Sequence, residues 1–181
     1  MLKQRPAGDK SWPVACSQVR LGTSYEDLDL SGAHLSYGDF QDATFQALYG
    51  SINLNGAGLA HADLSGSTLS AKHYGDATID FAGADLTNAD LSGSTLNVES
   101  SYGGDTTIDF AGADLTNADL SGAALDASGG RSSTYSDDTK IDFSAANLTN
   151  ADLSGSELTA TALYNDVTID FTDAVLTTTP T

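Results

Sequence analysis

The side chains with chemistry to offer in this sequence are its aspartates, and they recur at fixed places. Asp80, Asp109, Asp142 and Asp170 each stand one residue before a phenylalanine, and Asp76, Asp105, Asp138 and Asp166 stand four residues earlier. Carboxylates in repeating sets suit a hard cation such as calcium, which gathers several oxygen ligands. Stretches such as Gly103–Asp109, GGDTTID, add threonine and carbonyl oxygens around them. If the sets stack at strand spacing, about 4.8 Å, each pair of neighbouring carboxylates repels by nearly 1 kcal/mol even in water. Either cations or backbone amides must compensate. Aspartate ordinarily hydrogen-bonds its own turn, and no EF-hand loop is present, so the turn reading is favoured. Calcium is the one cofactor candidate, on those eight aspartates.

Catalytic constellations are missing. His34, His61 and His73 fall at unrelated places in the repeat, and there is no G-x-S-x-G, P-loop, dinucleotide-binding or H-E-x-x-H pattern. Thr87, Thr116 and Thr149, with Ser65, Ser92, Ser121 and Ser154, form short outward sets that would suit an ice-binding face. Five tyrosines, Tyr49, Tyr74, Tyr102, Tyr135 and Tyr164, recur in related segments from LYGSINL to LYNDVTIDF. Exposed tyrosine is typical of interfaces; a covering role at a corner is the alternative.

What positions these residues is a beat of five. Leu or Phe centres fall at Leu30, Leu35, Phe40 and Phe45, then at Leu54, Leu59, Leu64 and Leu69, and so on to Phe171 and Leu176. Five fits neither the helical period of 3.6 nor the strand period of two. It fits a chain that turns a corner every five residues, four sides to a coil. Two residues per side face inward, the centre and the residue two before it. The second is small on the last three sides (Ala84, Ala89, Ser94) and large on the first. The core ladder is therefore Ile79, Phe81, Ile108, Phe110, Ile141, Phe143, Ile169 and Phe171. Extra residues always come after the fourth side, so the insertions should emerge along one edge, with the tyrosines stacked there.

Composition agrees. The 181 residues are 40% hydrophobic with one Trp and one Met, a lean supply that suits the narrow core of a solenoid. A net charge of −18 argues against direct nucleic-acid binding through a basic patch. Cys16 has no partner for an internal disulfide. No run reaches the roughly 20 apolar residues of a membrane span. Residues 1–24, outside the beat, read as an N-terminal cap with Trp12, Val14 and Val19 as lid residues; 25–176 form the repeat and 177–181 a tail.

Runs such as AGADL-TNADL-SGSTL resemble the A(D/N)LXX consensus of the pentapeptide-repeat family, over roughly Tyr25–Leu176. The resemblance implies an all-β fold, a right-handed quadrilateral parallel β-helix of about five and a half coils. The long insertions at one edge depart from the family's uninterrupted coils. It also implies a non-enzymatic structural or protein-binding scaffold, contacting a protein partner through the Tyr/Asp-bearing edge or a polar face. One family branch mimics DNA in shape and charge and binds DNA gyrase, which gives an alternative reading; calcium-binding or ice-binding solenoids are further ones. A soluble, cytoplasmic protein is the default expectation, or one of the photosynthetic-membrane lumen if a targeting segment has been removed.

Overall fold

The computed structural model describes residues 20–21, 27–130, 138–163 and 166–177. Its corners explain the beat of five. On the first three sides of each coil the second residue after the centre takes a left-handed φ of 54–68°, as at Gly32, Asn88, Gly93, Asn117 and Gly122. The third donates its N–H back to the centre's carbonyl, Ala84 to Phe81 and Ala89 to Leu86, each at 2.9 Å. A turn with positive φ at its third residue favours Gly or Asn there, which is why TNADL and SGSTL alternate. Ala145 holds a φ of 54° with a Cβ to accommodate. It is exposed, so Ala145→Gly relieves the strain without removing a contact. The substitution should stabilise the protein by about 1 kcal/mol, read as a melting temperature raised by about 2–4 °C.

Sides of successive coils pair in parallel. One sheet holds β2 (Leu28–Asp29), β4 (Ile52–Asn53), β6 (Ala77–Asp80), β8 (Thr106–Asp109), β10 (Thr139–Asp142) and β12 (Val167–Asp170). The other holds β1 (Arg20–Leu21), β3 (Thr44–Ala47), β5 (Thr68–His73), β7 (Thr95–Ser100), β9 (Ala124–Ser128) and β11 (Glu157–Thr161). The remaining two sides pair through single bridges. One column runs from His34 through Gly58, Asp85, Asp114 and Asn147 to Val175; the other runs from Asp39 through Asp63, Asp90 and Asp119 to Asp152. Register is strict: Ile79 lies on Ile108 and Ile108 on Ile141. Two sheets and two bridge columns close a right-handed quadrilateral parallel β-helix.

Identical residues in register make the core a set of ladders. Phe81, Phe110 and Phe143 are fully buried, with ring centroids 4.9 Å apart and planes within 1°. Phe143 stacks on Phe171 at 5.0 Å, yet Phe171 is only partly buried. Ile169, expected in the buried ladder, is 42% exposed. Both lie on the last coil, and no further rung covers β12 among the described residues.

The insertions also differ from a plain loop edge. Their first residues prolong the fourth side, so that β5 and β7 each run six residues. Their last residues prolong the first side, where β6 begins at Ala77. These extensions carry their own inward residues, Ala71, Val98 and Ala127 on one sheet and Ala77, Thr106 and Thr139 on the other, all buried. The Thr106 and Thr139 hydroxyls bond each other at 3.0 Å. The core thus has a thin lobe behind the edge, which a period-five pattern does not reveal because the alternation there is the strand's period of two.

Residues 1–24, read as a cap, contribute one described rung. Arg20–Leu21 pairs in parallel with Thr44–Phe45 and covers the outer edge of β3. Trp12, Val14 and Val19 lie outside the described residues.

Candidate partner-binding edge

Tyr49, Tyr74 and Tyr102 follow β3, β5 and β7 at the point where the prolonged fourth side ends. The rings line up, with centroids 5.5 Å apart at both steps and planes tilted by 33° and 48°. Exposure rises along the row, from 38% at Tyr49 to 53% at Tyr74 and 70% at Tyr102. Tyr135 and Tyr164 lie outside the described residues. Beside the row is a shallow groove of about 290 Å³ lined by Leu48, Tyr49, Lys72, His73, Tyr74 and Ser101. Ser101 also borders a larger open groove of about 620 Å³, walled by Ser128, Thr161 and Leu163 among others. The Lys72 ammonium is engaged by Glu99 on the next coil at 2.6 Å. His73 accepts the Gly75 N–H on Nδ1 at 3.0 Å, which orients its ring.

The eight aspartates fall into two columns with different work. The inner column accepts the amide two residues on: Asp80 from Ala82 and Asp109 from Ala111 at 2.7 Å, Asp142 from Ser144 and Asp170 from Thr172 at 2.8 Å. This is the local turn bond expected of aspartate. In the outer column Asp76 accepts the Asp105 N–H at 3.1 Å, and Asp105 accepts the Asp138 N–H at 2.8 Å. Those bonds tie coil to coil. Asp138 and Asp166 continue the outer column, both exposed. Among the described residues no three acids, histidines or cysteines gather as a metal would need.

Repulsion within the inner column is met partly by Lys140, which no repeat pattern anticipates. It pairs with Thr107 and Thr168 in register, and its ammonium contacts Asp142 at 2.6 Å and Asp170 at 3.1 Å. Bonds from Thr172 and then Lys140 hold the Asp170 carboxyl down at about 2. Burial pushes Asp142 upward, but Lys140 and Ser144 outweigh it and the net shift is downward. Asp109 is raised, first by burial and then by the charges of Asp142 and Asp80, against the pull of Ala111 and Lys140.

These shifts give opposite pH dependences. Asp142 and Asp170 contribute stability above the ordinary carboxylate value of 3.8 that is lost as pH falls below it, for Asp170 toward about 2. Asp109 keeps its proton in the folded state at pH values where the unfolded chain has released it, so its ionisation erodes stability as pH rises above 3.8. Asp109→Asn keeps the acceptor for Ala111 and removes the charge, as Asn53 does in the same column. The variant should therefore melt about 2 °C higher at pH 7, with the gain vanishing at about pH 3. Melting curves across that range check it.

The threonine and serine sets are turned to the same purpose as the turn aspartates. Thr87, Thr116 and Thr149 donate their hydroxyls to Asp85, Asp114 and Asn147 at 2.6–2.7 Å, and Ser65 and Ser92 donate to Asp63 and Asp90 at 2.6 Å. Two aromatic side chains meet at another corner. Tyr37 and His61 occupy left-handed corners, φ 59° and 58°, and stack at 4.7 Å. The signal is present in the repeat: both stand where later coils place Asn88, Asn117 and Asn150.

Coils closed by such corners, with small and large inward residues in fixed ladders, define a class of repeat protein. The model of the pentapeptide repeats family matches residues 79–97, 108–128 and 139–165, in eight copies. These segments are pentapeptide repeats. The coils before residue 79 lie outside the match yet pair in the same register. Among solved structures the chain is similar to HetL, a pentapeptide repeat protein involved in heterocyst differentiation regulation in the cyanobacterium Nostoc sp. strain PCC 7120. Identity is 22%, over 88% of this chain and 86% of that one, with a TM-score of 0.16. It is also similar to QnrB1, a plasmid-mediated fluoroquinolone resistance protein, at 18% identity over 78% of this chain and 90% of that one, with a TM-score of 0.15. No curated protein matches the sequence. Among the described residues no helix is long and apolar enough to cross a membrane.

Proposed function

We propose that the chain is a non-enzymatic binding scaffold whose protein partner docks on the tyrosine edge. The observation that supports this is the exposed row Tyr49–Tyr74–Tyr102. Aromatic side chains lined up at 5.5 Å and left open to solvent are characteristic of interface anchors. A covering role would have buried them, as the inward alanines behind them are buried. The test is a pull-down from the native source with Tyr74→Ser/Tyr102→Ser set against Asn88→Ser/Asn117→Ser on a different corner. Loss of a partner in the tyrosine variant alone, with the melting temperature kept, supports the edge. Equal retention by both variants, or a melt lowered by several degrees in the tyrosine variant, overturns it.

A second reading draws on the third wall. Asp39, Asp63, Asp90, Asp119 and Asp152 pair in register and set one carboxylate on each of five coils. With the net charge of −18, that wall supports an acidic mimic of DNA that binds DNA gyrase. A supercoiling assay unaffected by the protein would dismiss it.

A further inference from the structure

We propose that the tyrosine edge takes an extended segment of a partner protein carrying two or more arginines; this rests on the edge being the partner surface. The reason is the company the rings keep. Two and three residues beyond Tyr74 and Tyr102 come the exposed carboxylates of Asp76 and Asp105. Each is held in place through Oδ1 by the amide of the next coil, so both are already positioned before a ligand arrives. Tilted aromatic faces beside fixed carboxylates match a guanidinium, which stacks on rings and forks to carboxylates at once. A lysine ammonium, a compact and strongly hydrated charge, does the first less well and cannot do the second.

The local charge points the same way. Lys72, the cation that lines the groove, is neutralised by Glu99, and a chain of net charge −18 repels acidic partners. Leu48, on the groove wall and partly exposed, offers apolar surface for an arginine stem. Side chains on one face of an extended peptide recur about every 6.7 Å. The three rings, at two 5.5 Å steps, therefore span the reach of two arginines placed two residues apart.

The test uses the full chain and two dye-labelled octapeptides, each with three basic residues spaced by Gly and Ser, one set arginine and the other lysine. Fluorescence anisotropy at near-physiological salt should show the arginine peptide binding about tenfold more tightly. Tyr74→Ser/Tyr102→Ser should abolish that preference, while Tyr74→Phe/Tyr102→Phe, which keeps the ring faces and guards against a folding artefact, should retain it. Asp76→Asn/Asp105→Asn keeps the amide acceptors and should weaken both peptides. Equal affinity for the two peptides, a preference that survives the serine variants, no binding of the arginine peptide, or tighter binding of a neutral proline-rich peptide would each overturn the proposal. The pull-down with the edge variants does not involve these peptides, so it tests the edge reading separately.

Discussion

Phe110→Ala should lower stability by about 4 kcal/mol and the melting temperature by about 8–15 °C. Phe110 is the middle ring of the stack, fully buried, with Phe81 and Phe143 each 4.9 Å away. Its removal takes contacts from two coils, and strict register prevents either neighbour from sinking into the space. In a one-dimensional array each coil is held by the coils on either side. The damage should therefore appear as a broader transition as well as a lower one, since the halves on either side of the gap are less tightly coupled. Phe171→Ala provides the comparison. That ring is partly buried and stacks on one neighbour only, so the loss should be about 1–2 kcal/mol. Calorimetry of the two variants checks the ratio. Equal losses would mean that the stack does not act as a ladder.

Gly104→Ala should be the most damaging change at the edge, at about 2–3 kcal/mol. Gly104 has a φ of 134°, and a Cβ there would overlap the Gly75 carbonyl carbon and the Asp76 amide nitrogen. Both obstacles are backbone of the coil beneath, just ahead of β6, so neither yields as a flexible side chain would. Separation of the two segments would stretch the bond from the Asp105 amide to Asp76. Amide exchange at Asp105 should accelerate accordingly. Gly112 separates strain from crowding. It sits at a left-handed corner with φ 64°, where a methyl would meet nothing within 4 Å. Gly112→Ala should therefore cost about 1 kcal/mol from conformation alone.

The coil is legible in the sequence because two constraints recur along it. An inward Leu or Phe and a small inward partner leave a period-five mark, and the corner after Leu86 or Leu91 demands Asn88 or Gly93. The edge is legible only in outline. The tyrosine row follows from alignment of the insertions, but Ala71, Val98 and Thr106 face inward on a period of two that is too short to stand out. The aspartates show why residue type alone misleads. Asp80 and Asp76 look equivalent as ligands, yet one accepts its own turn's amide and the other holds the coil above. That difference depends on which backbone N–H lies within reach, which is fixed by the stacking rather than by the local sequence. Lys140 is hidden for the same reason: its partner Asp170 is a neighbour only across coils.

Strict register has a consequence for how such a chain changes over generations. Thr78–Gly93 and Thr107–Gly122 are the same sixteen residues in the same order, and they lie on each other residue for residue. A gene that loses or gains the 29 positions between equivalent points, the offset seen between Asn88 and Asn117, encodes a chain whose strands still find matching neighbours. Copy number can therefore vary without a new fold having to be found. Each such step also removes or adds one ring, since the excised stretch carries Tyr102. The length of the rod and the number of tyrosines it presents are in this way inherited together.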